Sequence, residues 1–263
     1  MSTDPLLGVR VKINRAKKHF ADLDAAILAF EATDPYHVPV EIDAQTGHEV
    51  YRFYLREPIP VEWAAILGDC IHNLRSALDL LANALVTHNG GTPGTYTVFP
   101  ISSAAHYSAS DIASALQGAS VSAIALVKGM KPYQGGTDPF WRLHRLDIAD
   151  KHRLLVPVAA RQETFSVRSD IRSIGTEHYP EPQMTTVRAL NPRFPLKNGD
   201  VVLCYQRPPA EPDFEDKTEF AFGFAIAFGE GQVFDGQTVI PTLKQLVEFT
   251  EGIVEIFARH IFR

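Results

Sequence analysis

The sequence has little of what defines several classes of protein. Its 263 residues include only two cysteines, Cys70 and Cys204, too few for a disulfide framework or a cysteine-based zinc site. No apolar run approaches the ~18 residues of a membrane span, and the first residues lack the features of a signal peptide. Acidic residues (31) outnumber lysine and arginine (25), and a net charge of −6 argues against a DNA-coating protein. We therefore expect a cytoplasmic protein, without a membrane segment, whose two thiols are reduced and buried.

The patterns that are present predict an α+β fold in a single domain, residues 1–263. Apolar residues recur at three- and four-residue steps in the four main predicted helices, residues 5–33, 61–88, 138–155 and 240–262. Residues 36–56 alternate like a hairpin, and residues 155–235 carry strand patterns, with 218–228 predicted as a central strand. We expect a bundle of about four main helices, packed on an antiparallel β-sheet formed mainly by the 155–235 region.

The polar side of the helix predicted at 61–88 lacks the lysine and glutamate of an ordinary solvent-exposed face. Between Glu62 and Lys128 the only charged residues are Asp69, Arg75, Asp79 and Asp111. At 100° per residue, six polar residues fall within about a third of the helix circumference. These six are Asp69, His72, Arg75, Ser76, Asp79 and Asn83. Such a face is typical of a partly buried hydrogen-bonding surface.

The helix predicted at 138–155 mixes ionisable and apolar residues all round. His144, Asp147 and Lys151 share one side, and Arg145 and His152 share another. A helix without a clean polar face is usually buried on most sides, and buried charges need partners. We expect pairs between the two helices: Asp69 or Asp79 with Arg145, Lys151 or His152, and Arg75 with Asp147 or Asp150.

Three hypotheses explain these two polar helices. In the first, the residues form a buried network of ion pairs and hydrogen bonds that joins the helices, and the chain is a non-enzymatic interaction protein.

The second hypothesis is a divalent metal ion as cofactor. The pairs Asp69/His72 and His144/Asp147 each place a carboxylate and an imidazole one helical turn apart. Helical-bundle metal proteins combine ligands with this spacing from facing helices.

The third hypothesis, and our best guess, is a hydrolase or nuclease without a cofactor that acts on a phosphate-bearing substrate. His152 would be the acid/base, Arg145 and Lys151 would bind charge, and Asp69, Asp79 and Asp147 would orient them. His72 with Arg75 offers a second pair of the same kind. The partner would be RNA or a phosphate-bearing small molecule. Spare apolar helix faces also lead us to expect a homodimer.

Two segments of the chain together resemble an uncharacterised family of bacterial proteins that is frequent in actinobacteria. They are Gly68-Asp-Cys-Ile-His-Asn-Leu-Arg-Ser-Ala-Leu-Asp79 and Trp141-x-x-His144-x-x-Asp147-x-x-Asp-Lys-His-Arg153. The pieces Phe99-Pro100-Ile101 and Pro132-Tyr133 fit as well, so the resemblance covers about residues 58–156. The family has no assigned activity, and the resemblance implies relatives rather than a reaction.

The same region is similar to HEPN-type ribonucleases, helical bundles whose motif is an arginine followed after four to six residues by a histidine. Arg145 and His152 have this spacing, with six residues between them. Leu80 stands where similar sequences often have a histidine after Arg75, so the first helix lacks its pair. The resemblance implies an RNA substrate and a site at Arg145 and His152.

Overall fold

Six α-helices form the larger part of the described structure, a computed structural model. The structure describes residues 4–103, 108–152, 155, 157–169, 171–173, 183–188, 194–206, 214–216, 218–229 and 233–263. In this part of the chain the helices are α1 (Leu7–Glu31), α2 (Glu62–His88), α3 (Ala109–Ala115), α4 (Val121–Gly129), α5 (Asp138–His152) and α6 (Val239–His260). The four longest match the main predicted helices, with ends that differ by three residues at most.

Helix α2 lies at the centre of the bundle. Five leucines at helical spacing along α2 are buried against α1, α5 and α6: Leu67, Leu74, Leu78, Leu81 and Leu85. Burial of each leucine contributes about 1.5–3 kcal/mol. Gly90, whose φ of +80° favours glycine, follows Asn89 at the end of α2. The leucine face leaves the polar face of α2 directed towards α5.

The strands make four small antiparallel sheets within the described residues. They are β1 (Tyr36–His37), β2 (Val40–Ile42), β3 (Glu49–Arg52), β4 (Tyr54–Leu55), β5 (Pro157–Ser169), β6 (Ile171–Ser173), β7 (Gln183–Arg188), β8 (Val201–Tyr205), β9 (Phe214–Asp216) and β10 (Glu219–Phe228). The predicted hairpin is present: β2 pairs with β3, and β1 pairs with β4. The α+β class is therefore confirmed.

The sheet predicted in the 155–235 region is divided. Strand β8 joins the hairpin by pairing with β3, whereas β5, β7 and β10 form a separate sheet. The prediction of a central strand at 218–228 is wrong for the described sheet, in which β5 lies between β10 and β7. Strand β5 is 13 residues long and pairs along both of its edges, with β10 on one side and β7 on the other. The bulky face of β10 does point inward, since Phe224, Ile226 and Phe228 are buried.

The two cysteines differ in environment. Cys70 is buried, and its thiol donates a hydrogen bond to the carbonyl of Ala16 over 3.4 Å. Cys204 is exposed, so the expectation that both are buried is wrong. It lies near the end of β8, which has a partner strand only on its β3 side among the described strands. A membrane span needs a long apolar helix, and the described part of the chain does not contain one.

Candidate functional site

Helices α2 and α5 pack antiparallel and bring their polar residues into contact. Three contacts follow one another along this seam: Gly68 with Asp150, His72 with Asp147, and Arg75 with His144. Because Gly68 has no side chain, the carboxylate of Asp150 lies against its backbone. The helices are therefore close enough for short polar side chains to meet.

The carboxylate of Asp147 is the buried centre of the seam. Its Oδ1 lies 3.0 Å from Nδ1 of His72, and its Oδ2 accepts a hydrogen bond from Nζ of Lys151 over 2.6 Å. The side chain of Asp147 is 3% exposed, whereas those of His72 and Lys151 are 50% and 54% exposed. A buried carboxylate thus holds an imidazole and an ammonium group that both reach solvent.

Ser76 lies one turn after His72 on α2. Its Oγ is 3.3 Å from Nε2 of His72. When the imidazole donates its Nδ1 proton to Asp147, Nε2 is left as an acceptor for the hydroxyl of Ser76. The three side chains therefore form a hydrogen-bonded series from a partly exposed hydroxyl to a buried carboxylate.

Arg75 belongs to a sealed part of the seam. Its Nη1 donates to Oδ1 of Asp79 over 2.6 Å, and its Nη2 donates to the carbonyl oxygen of Phe99 over 3.1 Å. The backbone N–H of Phe99 donates to the same Oδ1 of Asp79 over 3.0 Å. The side chain of Arg75 is only 9% exposed. These contacts fasten the chain at Phe99 to α2, which is a structural role.

His144 is an uncharged residue of this seam near neutral pH. Nε of Arg75 donates to its Nδ1 over 3.4 Å, which requires that nitrogen to be unprotonated. The pKa of His144 is lowered from 6.5 to about 4, mainly by burial and also by the charge of Arg75. His144 is therefore not a proton donor in the physiological range.

Burial has the opposite effect on Asp150. It raises the pKa of this carboxyl above the ordinary 3.8, and the negative charges of Asp147 and Asp69 raise it further. The carboxylate of Asp150 therefore lies against Gly68 in surroundings where its charged form is less favourable than in water.

Arg145 and His152 lie outside this seam. Both are exposed on α5, and the guanidinium carbon of Arg145 lies 5.7 Å from the ring centroid of Trp141. Within the described residues, the imidazole of His152 has no hydrogen-bond or ion-pair partner. Arg153, the next residue along the chain, lies outside the described residues.

The four residues of the metal hypothesis do not converge. His72 and Asp147 meet, but His144 faces Arg75, and Asp69 is exposed on α2. No group of three or more histidine, cysteine, aspartate or glutamate side chains in the described structure is arranged to hold a metal ion. The metal hypothesis therefore has no complete ligand set in this part of the chain.

The expected partners of Arg75 are wrong. Arg75 pairs with Asp79 on its own helix and with His144 across the seam, rather than with Asp147 or Asp150. Residues four apart on one helix are neighbours whatever packs beside them. Across the seam, the register of the two helices decides which residues meet, and periodicity does not fix that register.

The ion-pair partners predicted for Lys151 are also wrong. Its ammonium group pairs with Asp147 on its own helix rather than with Asp69 or Asp79. Sequence reasoning also gave no role to Ser76, although its spacing from His72 places the two on one face.

The chain matches no protein-family model, no curated protein and no solved structure at a significant level. The family resemblances therefore stay predictions.

Proposed function

We propose that this protein is a ribonuclease that cleaves phosphodiesters, with His72 as the proton-transfer residue. The observation that carries the proposal is the contact between the half-exposed imidazole of His72 and the buried carboxylate of Asp147. A carboxylate on Nδ1 orients the ring and fixes its tautomer, so that Nε2 is the nitrogen that exchanges protons with the substrate. His152 has no such partner among the described residues and is the second candidate for this role.

The cations of α5 support an anionic substrate. Lys151 lies on the other oxygen of Asp147, and Arg145 is exposed elsewhere on the same helix. Arginine and lysine side chains bind phosphate oxygens by charge-assisted hydrogen bonds. The HEPN-like spacing of Arg145 and His152 supports RNA as the substrate.

The proposed reaction uses a hydroxyl group of the substrate as nucleophile. Nε2 of His72 accepts the proton of the 2′-hydroxyl group of RNA, and the 2′ oxygen attacks the phosphorus. The 5′ oxygen leaves and receives a proton from the imidazolium. Lys151 stabilises the charge that develops on the phosphoryl oxygens. The products are a 2′,3′-cyclic phosphate and a 5′-hydroxyl end.

The test is cleavage of a fluorescent single-stranded RNA in the presence of a chelator. We expect His72→Ala to lower the rate by roughly 10²- to 10⁴-fold, and Asp147→Asn to lower it at least about tenfold. His260→Ala, at an exposed histidine that ends α6, is the matched control and should keep the wild-type rate. Full activity in His72→Ala, or no cleavage by the wild-type chain, would contradict the proposal. Loss of activity in His152→Ala alone would transfer the role to the pair Arg145/His152.

A non-enzymatic role is the second candidate, and the sealed contacts of Arg75 favour it. Arg75, Asp79 and Phe99 are joined without access for a substrate at the guanidinium group. If the whole seam is structural, His72→Ala lowers the free energy of unfolding by about 1–3 kcal/mol and no RNA is cleaved. If the seam is catalytic, the variant loses activity and keeps most of its stability.

A further inference from the structure

We propose that Ser76 is a nucleophile and that the chain hydrolyses carboxylic esters through an acyl-serine intermediate. The inference goes beyond phosphodiester cleavage, in which the substrate supplies the attacking hydroxyl group. It shares His72 and Asp147 with the proposed function and adds a third residue with a different chemistry.

The geometry of the three side chains carries the inference. Oγ of Ser76 lies 3.3 Å from Nε2 of His72, and Nδ1 of His72 lies 3.0 Å from Oδ1 of Asp147. A serine on one ring nitrogen of a histidine and a carboxylate on the other is the arrangement that activates a serine hydroxyl for attack. The 3.3 Å distance is looser than the usual 2.6–3.2 Å reach, as is common without a substrate.

Two helices hold this arrangement in place. Ser76 and His72 are four residues apart on α2, so their side chains are neighbours on one face. Asp147 comes from α5, which packs on α2 with the carboxylate of Asp150 against Gly68. The base and the nucleophile thus share one rigid element, and the orienting carboxylate is buried in the next.

The reaction transfers an acyl group twice. Oγ of Ser76 bonds to the carbonyl carbon of the ester while its proton passes to Nε2 of His72. The bond to the alcohol oxygen then breaks, and the alcohol leaves with that proton. Water next attacks the acyl-serine and gives a proton to Nε2, which returns it to Oγ as the carboxylic acid is released.

The surface beside Ser76 suits an apolar acyl group. Leu80 lies one turn beyond Ser76 on α2 and is 37% exposed. Helix α1 meets it at Gly8, where a Cβ would be 3.8 Å from Cδ1 of Leu80. An exposed aliphatic side chain therefore lies one turn from Ser76, on the helix that carries the nucleophile.

The test is covalent labelling of the full-length chain with an alkyl fluorophosphonate. The serine oxygen bonds to phosphorus, fluoride leaves, and the proton passes to His72. Intact-mass measurement and peptide mapping should show one adduct, on Ser76, that Ser76→Ala abolishes. Labelling should slow roughly tenfold or more in His72→Gln and in Asp147→Asn, with partial recovery in Asp147→Glu. Ester turnover should favour p-nitrophenyl butyrate over p-nitrophenyl acetate, and Leu80→Ser should remove that preference.

Ser122→Ala is the matched control. Ser122 is an exposed helical serine, and the residue four positions before it is Gly118 rather than a histidine. It should label like the wild-type chain. No adduct on Ser76 in folded protein, or labelling that persists in His72→Gln, would overturn the inference. RNA cleavage that depends on His72 without labelling would overturn this inference alone. Labelling of Ser76 without RNA cleavage would overturn only the phosphodiesterase proposal.

Discussion

Oδ1 of Asp150 lies 2.1 Å from the position that a Cβ atom on Gly68 would occupy. Real carbon atoms do not approach an oxygen so closely, and the carboxyl carbon and Oδ2 of Asp150 are only 2.5 Å away. Glycine at this position therefore leaves the room that the carboxylate of Asp150 occupies. The next contact along the seam joins His72 to Asp147.

We predict that Gly68→Ala lowers the free energy of unfolding by about 1–3 kcal/mol, because the added methyl group must displace the carboxylate of Asp150. The same change should weaken any activity that depends on His72 and Asp147. Urea unfolding measures the first effect. Removal of the obstructing carboxylate by Asp150→Ala in the Gly68→Ala background should restore most of the loss.

Gly252→Ala on α6 is the matched control for Gly68→Ala. Gly252 is helical and exposed, and nothing lies within 4 Å of its added Cβ. Alanine should stabilise the helix here by about 0.5–1 kcal/mol, since glycine is the poorer helix former. Equal effects at the two glycines would show that the contact with Asp150 does not constrain the seam.

Arg75→Met should lower the free energy of unfolding by about 2–4 kcal/mol. The substitution keeps the length of the side chain but leaves Asp79 without its charged partner and the carbonyl of Phe99 without its donor. Arg56→Met is the control, because Arg56 and Asp34 form an ion pair whose side chains are 51% and 77% exposed. That change should cost less than about 1 kcal/mol. Similar losses in the two variants would argue that the Arg75 contacts are not sealed.

The stability of the chain should fall between pH 6.5 and pH 4 because of His144. Its pKa is about 4 in the folded chain and 6.5 ordinarily, so the unfolded chain binds more protons between these values. Stability therefore rises with pH across this window and is lost as the pH falls through it. The loss should be on the order of 1–2 kcal/mol, after allowance for partial exposure of the ring.

His144→Asn isolates this contribution. An asparagine oxygen can still accept the hydrogen bond of Arg75 but does not titrate. Urea unfolding at several pH values should give a shallower dependence for the variant between pH 6.5 and pH 4. Other titrating groups are common to both chains and cancel in the comparison. Parallel curves would mean that His144 titrates normally.

Tyr36→Phe should leave the stability unchanged or raise it by up to about 1 kcal/mol. Among the described side chains, the hydroxyl of Tyr36 is the buried polar atom without a hydrogen-bond partner. The pKa of Tyr36 is raised to about 12, mainly by burial and also by the charge of Glu31. Tyr51→Phe is the comparison, since the Tyr51 hydroxyl donates to Oε2 of Glu49 over 2.9 Å. In thermal unfolding, Tyr36→Phe should have a higher midpoint temperature than Tyr51→Phe.

The local patterns of the sequence predicted the helices well because each depends on residues close in the chain. The leucine stripe of α2 and the mixed composition of α5 indicated which faces are buried. The absence of lysine and glutamate on the polar face of α2 indicated a partly buried surface, and Arg75 is indeed buried there. The sheet was less predictable, because strand partners lie far apart in the chain and β8 joined β3 instead of β5.

The sequence by itself determined the helices, the antiparallel α+β class and the choice of α2 and α5 as the polar pair. Only the tertiary structure decided that Asp147 meets His72, that Arg75 turns to His144 and Phe99, and that Arg145 and His152 stay outside. The physical reason is the register of the two helices. Periodicity assigns a residue to a face, but the packing of α2 on α5 sets how far one helix is shifted along the other.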